Sequence, residues 1–311
     1  MTSTISSKKH KKIKAMLCLL ILIIALLAAF LAYMLSGNGD WITQTSYLQS
    51  TEEIYYMEAG ILYNALEFRD GEDFAVTYDF DNPEYPELKS KYGIEATAGE
   101  GTELDKAKAL MNEYSGRLRH KSDYDNHVEM NALALLEYSL DNKKQGINCR
   151  AKAQILNEMC LALGICSRKV WICPSSVYDT DCHVVNEVWD SSLNKWVMLD
   201  ITNNYYWVDE SGTPLSVLEI REHIANQKFC TPVSSANPLD TLDKLTNLEK
   251  SLNRNYENFL YIAKNMVFMK YCGENTVGEG GEFYSLVPEA ITYDTRCMLI
   301  SRESIEASPV R

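Results

Sequence analysis

Gly146 to Trp171 reads GINCRAKAQILNEMCLALGICSRKVW. A cysteine follows a Gly-containing turn, and a helical apolar pattern begins at once. Ile155, Met159 and Leu163 fall on one side, with Ala153, Leu156 and Cys160 beside them. The pattern predicts a helix that opens at or near Cys149 and stops at Gly164, a residue suited to the position just past a helix end. A helix N-terminus carries unpaired N–H groups and a partial positive charge. That setting lowers a thiol's pKa and favours the thiolate. Cys149 is therefore a candidate nucleophile, set against the ordinary role of a small buried residue.

Three short runs rich in Val, Ile and Trp follow: SRKVWICP (167–174), CHVVNEVWD (182–190) and KWVMLDIT (195–202). They read as strands, the last two joined by DSSLNK as a hairpin. If that hairpin closes symmetrically, Trp189 faces Trp196 and Val185 faces Asp200. Side chains alternate along a strand, so His183 shares a face with Asp200 one diagonal step away, within reach of long side chains. Val184, Val188, Val197, Leu199 and Ile201 then point to the other face. A one-residue slip in register would separate the pair. Cys149, His183 and Asp200 together supply a nucleophile, a base and an orienting carboxylate.

GINCRAKAQILNEMCLALGICSRKVW followed by HVVNEVWDSSLNKWVMLDIT (183–202) resembles the transglutaminase-like superfamily. The family pattern is Gly-x-x-Cys opening a helix that ends in Leu-Gly-Ile, then a His in His-x-x-x-Glu-Val and an Asp in Trp-x-x-x-Asp-x-Thr. The likeness is strongest over 145–203 and extends more weakly from Tyr85 to Ile224. YYWVDESGTPLSVLEIR (205–221) is similar to membrane-anchored or secreted bacterial members. The resemblance implies Cys149 as nucleophile, His183 as base and Asp200 as orienter. It also implies a papain-like α+β core, with the cysteine-bearing helix packed on an antiparallel sheet. Two departures stand out. Ile201 replaces the Pro that often follows the Asp, and Asn148 and Arg150 flank the cysteine where the animal enzymes have Gln and Trp. Calcium-dependent cross-linking is therefore not implied. For the oxyanion, the Cys149 backbone N–H is expected and Gln145 is a weak side-chain candidate.

The chain begins differently. Five lysines between Lys8 and Lys14 precede an unbroken apolar run, Ala15 to Leu35. Its length, about 20 residues, matches the hydrocarbon core of a bilayer. The run is longer than a signal peptide's apolar region, and Tyr33-Met34-Leu35 is a poor cleavage site. It reads as an uncleaved anchor with the lysines on the cytoplasmic side, which puts the remainder outside the cytoplasm. Leu17 before Cys18 argues against lipidation. Net charge is −13, and without the five lysines 25 basic residues face 43 acidic ones. That excludes a nucleic-acid footprint.

The expected organisation is a basic segment (1–14), a transmembrane anchor (15–35), a juxtamembrane region (36–95), the core (96–230) and a C-terminal extension (231–311). Helices are expected over 46–70, 102–118 and 127–140, at SVLEIREHIA (216–225) and at TLDKLTNLEKSLNRNYENF (241–259). DFDNPEYPELKSKYGIE (79–95), with two prolines and several acids, reads as a loop. FLYIAKNMVFMKYC (259–272) reads equally as helix end or strand. GENTVGEGGEF (273–283) is a Gly-rich acidic loop without the features of a phosphate cradle. No cofactor is expected. The spacing of Cys160, Cys166, Cys173 and Cys182 fits no metal site, and a Cys173–Cys182 disulfide stays open. Cys160 and Cys166 read as core residues, His223 as a surface residue and Glu187 as a salt-bridged sheet residue or a tuner of the site. Trp189 and Trp196 either line the cleft or brace the hairpin.

These readings converge on a membrane-anchored, extracytoplasmic cysteine enzyme that works on amides of proteins or cell-envelope peptides through a thioester. Hydrolysis and transamidation share that intermediate. The competing class is a non-catalytic peptide-binding or envelope scaffold on the same fold, against which the complete triad argues.

Overall fold

The computed structural model describes residues 2–33, 54–141, 145–176, 178–234 and 259–310. The chain forms two compact units, residues 1–53 and 54–311. In the first, one helix, α1 (Thr2–Tyr33), contains a stretch from Lys12 to Tyr33 that is long and apolar enough to cross a membrane. Its expected last two residues, Met34 and Leu35, lie outside the described residues, as do 46–53 and most of 241–259.

In the second unit, helices lie on both faces of one mixed sheet. The first helix, α2 (54–63), is shorter than the 46–70 expectation at its C-terminal end. The chain turns at Asn64, whose side-chain amide donates to the Gly60 carbonyl (2.8 Å), and Phe68 then leaves to bridge Pro288. Residues 79–95 correct the loop reading, because they contain α3 (Tyr85–Tyr92) and the start of α4 (Ile94–Ala98). Pro86 sits in the first turn of α3, where its missing N–H has no intrahelical partner to lose. Gly93 ends that helix at φ 59°, a left-handed position that favours glycine. Helix α5 (Glu103–Arg117) starts at Thr102, which exchanges hydrogen bonds with Asp105 in a capping box. Helix α6 (Ala132–Asp141) starts five residues later than expected, because the Asn131 side chain accepts from the Ala134 N–H (2.8 Å) and caps it there.

Helix α7 (Cys149–Ala162) is the central element. Gly164 (φ 73°) closes it, with the Gly164 N–H on the Leu161 carbonyl and the Ile165 N–H on that of Cys160, both at 2.9 Å. Ile155, Leu156 and Met159 are fully buried, each stabilising the fold by about 1.5–3 kcal/mol relative to exposure.

The strands are β1 (Thr77–Tyr78), β2 (Ser167–Cys173), β3 (His183–Asp190), β4 (Lys195–Asp200), β5 (Tyr205–Asp209), β6 (Cys230–Ser234), β7 (Phe268–Cys272), β8 (Glu274–Asn275), β9 (Phe283–Leu286) and β10 (Met298–Leu299). The main sheet runs β10-β9-β7-β2-β3-β4-β5-β6 and is antiparallel except for β10 beside β9. Strands β5 and β6, unread in the sequence, extend it on one side. FLYIAKNMVFMKYC divides into a helical turn, α8 (259–265), and β7, so both readings of it hold in part.

Both faces of β3 and β4 are covered. On one, Val188, Val197 and Leu199 join α3, α5, α6 and α7. On the other, Val185 and Met198 join α2, α8 and the helix Val217–Ala225. The latter starts with a second capping box, Ser216 with Glu219. One buried ion pair crosses the sheet. Arg168 meets Glu187 at 2.7 Å, both side chains 2% exposed. Glu187 also accepts from the Val217 N–H (2.9 Å), and Arg168 donates to the Ile305 carbonyl (2.8 Å). Glu187 is thus a structural partner of the sheet.

Candidate active site

Cys149 is the first residue of α7, placed by what precedes it. The backbone of 119–121 pairs with that of Ile147 through Ile147 N–H to Arg119 carbonyl and Lys121 N–H to Ile147 carbonyl, both at 3.0 Å. Gly146 permits this approach, since a Cβ there would lie 2.7 Å from that of Lys121. Asn148 then caps the helix by accepting from the Ala151 N–H (3.0 Å). The thiol therefore stands at the positive end of a helix that is fixed on both sides.

The β3–β4 hairpin has the predicted register, with Trp189 opposite Trp196 and Asn186 opposite Leu199. It brings the first residue of β3 to the last of β4. The His183 Nε2–H donates to Asp200 Oδ2 at 2.9 Å, and both side chains are 3% exposed. Asp200 also accepts from the Thr202 N–H (2.9 Å), the Asn203 N–H (3.3 Å) and the Asn203 side-chain amide (2.8 Å). With Nε2 committed to the carboxylate, the other ring nitrogen serves the hydrogen bond to Cys149.

Burial disfavours charge on all three groups, and the partners outweigh it. For His183, Asp200 and Cys149 overcome burial and raise the pKa to about 10. For Asp200, burial is outweighed by His183 and Asn203, which hold the carboxyl below its ordinary range. For Cys149, burial pushes upward, but the bond and charge of His183 and the Val184 N–H bring the thiol below its ordinary value. A thiolate beside an imidazolium oriented by a carboxylate has the parts needed for acyl transfer.

The three residues meet at a cleft of about 590 Å³, with Cys149 and His183 in its wall. Several neighbours were not legible in the sequence. Tyr261, from α8, packs edge-on to the His183 ring (centroids 5.4 Å, planes at 69°) and donates from its hydroxyl to Asp181 (3.2 Å). Lys264, one turn on, pairs with Asp179 (2.8 Å) and Asp181 (3.4 Å). Trp171 and His120 also line the cleft. Behind Cys149, Arg150 pairs with Glu279 of the Gly-rich loop, and Glu279 also meets Lys169 (3.2 Å). Lys152 is buried in the same helix, and burial pushes its amine down to about 8. No sequence motif announces these contacts, because they join segments distant along the chain.

Other sequence candidates lie elsewhere. Trp189 and Trp196 form an edge-to-face pair on the hairpin (5.5 Å) and do not line the cleft. Gln145 is not among the cleft-lining residues. His223 is engaged with the Phe229 carbonyl (2.8 Å). Cys160 and Cys166 are buried, and none of the nine cysteines, Cys173 and Cys182 included, forms a disulfide.

A helix-borne cysteine against an antiparallel sheet that carries a His–Asp pair defines the cysteine protease-like fold class. Residues 90–201 match the family described as the transglutaminase-like superfamily, so the chain carries a transglutaminase-like domain. The match contains Cys149, His183 and Asp200. No curated protein and no solved structure matches the chain.

Proposed function

We propose that the protein is a membrane-anchored cysteine acyl-transfer enzyme that acts on amides of proteins or cell-envelope peptides. The observation that carries this reading is the His183–Asp200 hydrogen bond at 2.9 Å with Cys149 on the other side of the same imidazole. In the first half-reaction the Cys149 thiolate adds to the amide carbonyl carbon. The C–N bond then breaks, and the departing amine takes the proton held by His183. A thioester remains on Cys149. Water or an amine adds to it, His183 accepts the proton of the newcomer, and the C–S bond breaks to restore the thiolate. Water gives hydrolysis and an amine gives transamidation. The Cys149 backbone N–H, at the start of α7, is the proposed donor to the developing oxyanion.

The apolar helix is assigned as the anchor, with Lys8 to Lys14 cytoplasmic and the acidic remainder outside. An enzyme so placed meets extracytoplasmic proteins and envelope peptides, which defines the substrate class.

The test is the pH dependence of Cys149 alkylation by iodoacetamide, read by peptide mass spectrometry, with and without His183→Ala. Cys149 is expected to react well below pH 8, ahead of the other thiols, and to lose that lead in the variant. Equal, ordinary reactivity in both would sink the catalytic reading and favour a peptide-binding module.

A further inference from the structure

Trp171 walls two cavities. One is the cleft that holds Cys149, and the other, of about 550 Å³, is lined by Lys270, Arg296, Phe283 and Glu282 among others. Apart from Trp171, the second cavity is built from segments beyond the family match. Lys270 stands directly opposite Trp171 in the β2–β7 register, so the two side chains emerge on one face. The Phe283 ring meets the Trp171 ring edge-to-face at 4.9 Å, which fixes the indole as a rigid partition.

The charges of this cavity are unlike those around it. Arg150, Lys169, Arg168, Lys264 and Arg302 are each matched by a carboxylate. Among the described residues, Lys270 and Arg296 have no ion-pair partner. Glu282 lies exposed on the same wall, so two cations face one anion. In a chain of net charge −13 this is a local excess of positive charge beside the cleft. The Lys270 charge also reaches Cys182, a residue of the cleft wall, where it opposes the effect of burial on that thiol. The Lys270 ammonium lies over the Phe268 ring (5.8 Å) but meets no carboxylate, so an aromatic wall flanked by two cations without carboxylate partners suits a chain segment whose own carboxylate meets those charges.

The structure assigns the Trp171–Lys270–Arg296 cavity, we infer, as a substrate subsite that takes a carboxylate-bearing residue of a peptide whose scissile amide lies at Cys149. The assignment rests on the acyl-transfer reading for the identity of the occupant as substrate.

The test is equilibrium binding, which needs no turnover. Fluorescein-labelled hexapeptide pools carry a central glutamine and one fixed flanking residue: glutamate, glutamine or lysine, on either side. Binding to full-length Cys149→Ala protein in detergent micelles is read by anisotropy. The glutamate pool on one side is expected to bind about tenfold tighter than its glutamine counterpart. Lys270→Met with Arg296→Gln should abolish that preference, and Lys270→Glu with Arg296→Glu should turn it toward the lysine pool. Arg296→Gln alone, at an exposed position, should cost about threefold and guards against misfolding at the half-buried Lys270. Equal binding of the glutamate and glutamine pools, a preference that survives the double variant, or no loss in Arg296→Gln overturns the assignment. Iodoacetamide reactivity of Cys149 in the unmutated chain is read alongside. Selective binding with an unreactive Cys149 keeps the subsite as a peptide site and removes the acyl-transfer reading.

Discussion

Replacing Asp200 by Asn isolates what the buried carboxylate does. It accepts four hydrogen bonds, and an amide keeps one oxygen for them while placing an N–H group toward a donor. The charge is lost. His183 moves from 6.5 to about 10 against the effect of its own burial. At 1.36 kcal/mol per unit that is a preference of roughly 5 kcal/mol for the charged ring. Without Asp200, burial dominates and the ring is neutral at pH 7. Cys149 then loses its imidazolium partner, and burial alone drives the thiol above its ordinary value. Alkylation of Cys149 at pH 7 is expected to fall by about tenfold to a hundredfold, with the rate midpoint displaced to higher pH. The stability signature has a sign. The raised His183 pKa stabilises the fold fully below 6.5 and less as pH climbs through about 10. The lowered Asp200 pKa stabilises it above 3.8 and less as pH falls. The stability gap between the wild type and Asp200→Asn is therefore widest between about 4 and 6.5 and narrows toward 10. An alkylation profile in Asp200→Asn that overlies the wild type would refute the argument, because the carboxylate would then not govern the pair.

Tyr261→Ala removes the ring that packs on His183, and a loss of about 1 kcal/mol in thermal unfolding, with slower Cys149 alkylation, is expected. Tyr261→Phe keeps the ring and should retain most of both. Arg168→Ala leaves Glu187 buried without its cation and should lower stability in urea unfolding by about 3–5 kcal/mol. Lys152→Met removes an amine whose pKa burial lowers to about 8. The folded state prefers that amine neutral, so its cost is full below 8 and fades as pH rises to 10.5. The variant should be more stable by about 2 kcal/mol at pH 7, with the gap closing toward pH 10.5 in denaturant titrations.

Local rules made part of this fold readable. The start of α7, its Gly164 stop, and the hairpin register that joins His183 to Asp200 each follow from spacing within a few residues. Thr102 and Ser216 each open an expected helix with a capping box, which is likewise a local bond. Pro86 misled because a proline breaks a helix interior but suits its first turn, and the sequence around 79–95 does not say which applies. Asn131 shows the converse, a cap hidden inside an apparently continuous helical pattern. Strand β5 went unread, and the role of 259–272 split between helix and strand. Tyr261 on His183, Glu279 on Arg150 and Lys270 opposite Trp171 depend on pairings across a long stretch of chain, which no local pattern encodes.

The position of β7 in the sheet has a consequence for biosynthesis. Strand β2 lies between β3, which soon follows it in the chain, and β7, which follows only after β4, β5 and β6. A nascent chain translated as far as the Cys–His–Asp residues has one side of β2 unpaired and lacks Tyr261 and Glu279. Unpaired strand edges invite association with other chains. Translation order therefore postpones completion of the thiol site until the final segment emerges, which separates in time the moment the chain is most adhesive from the moment its cysteine is fully framed.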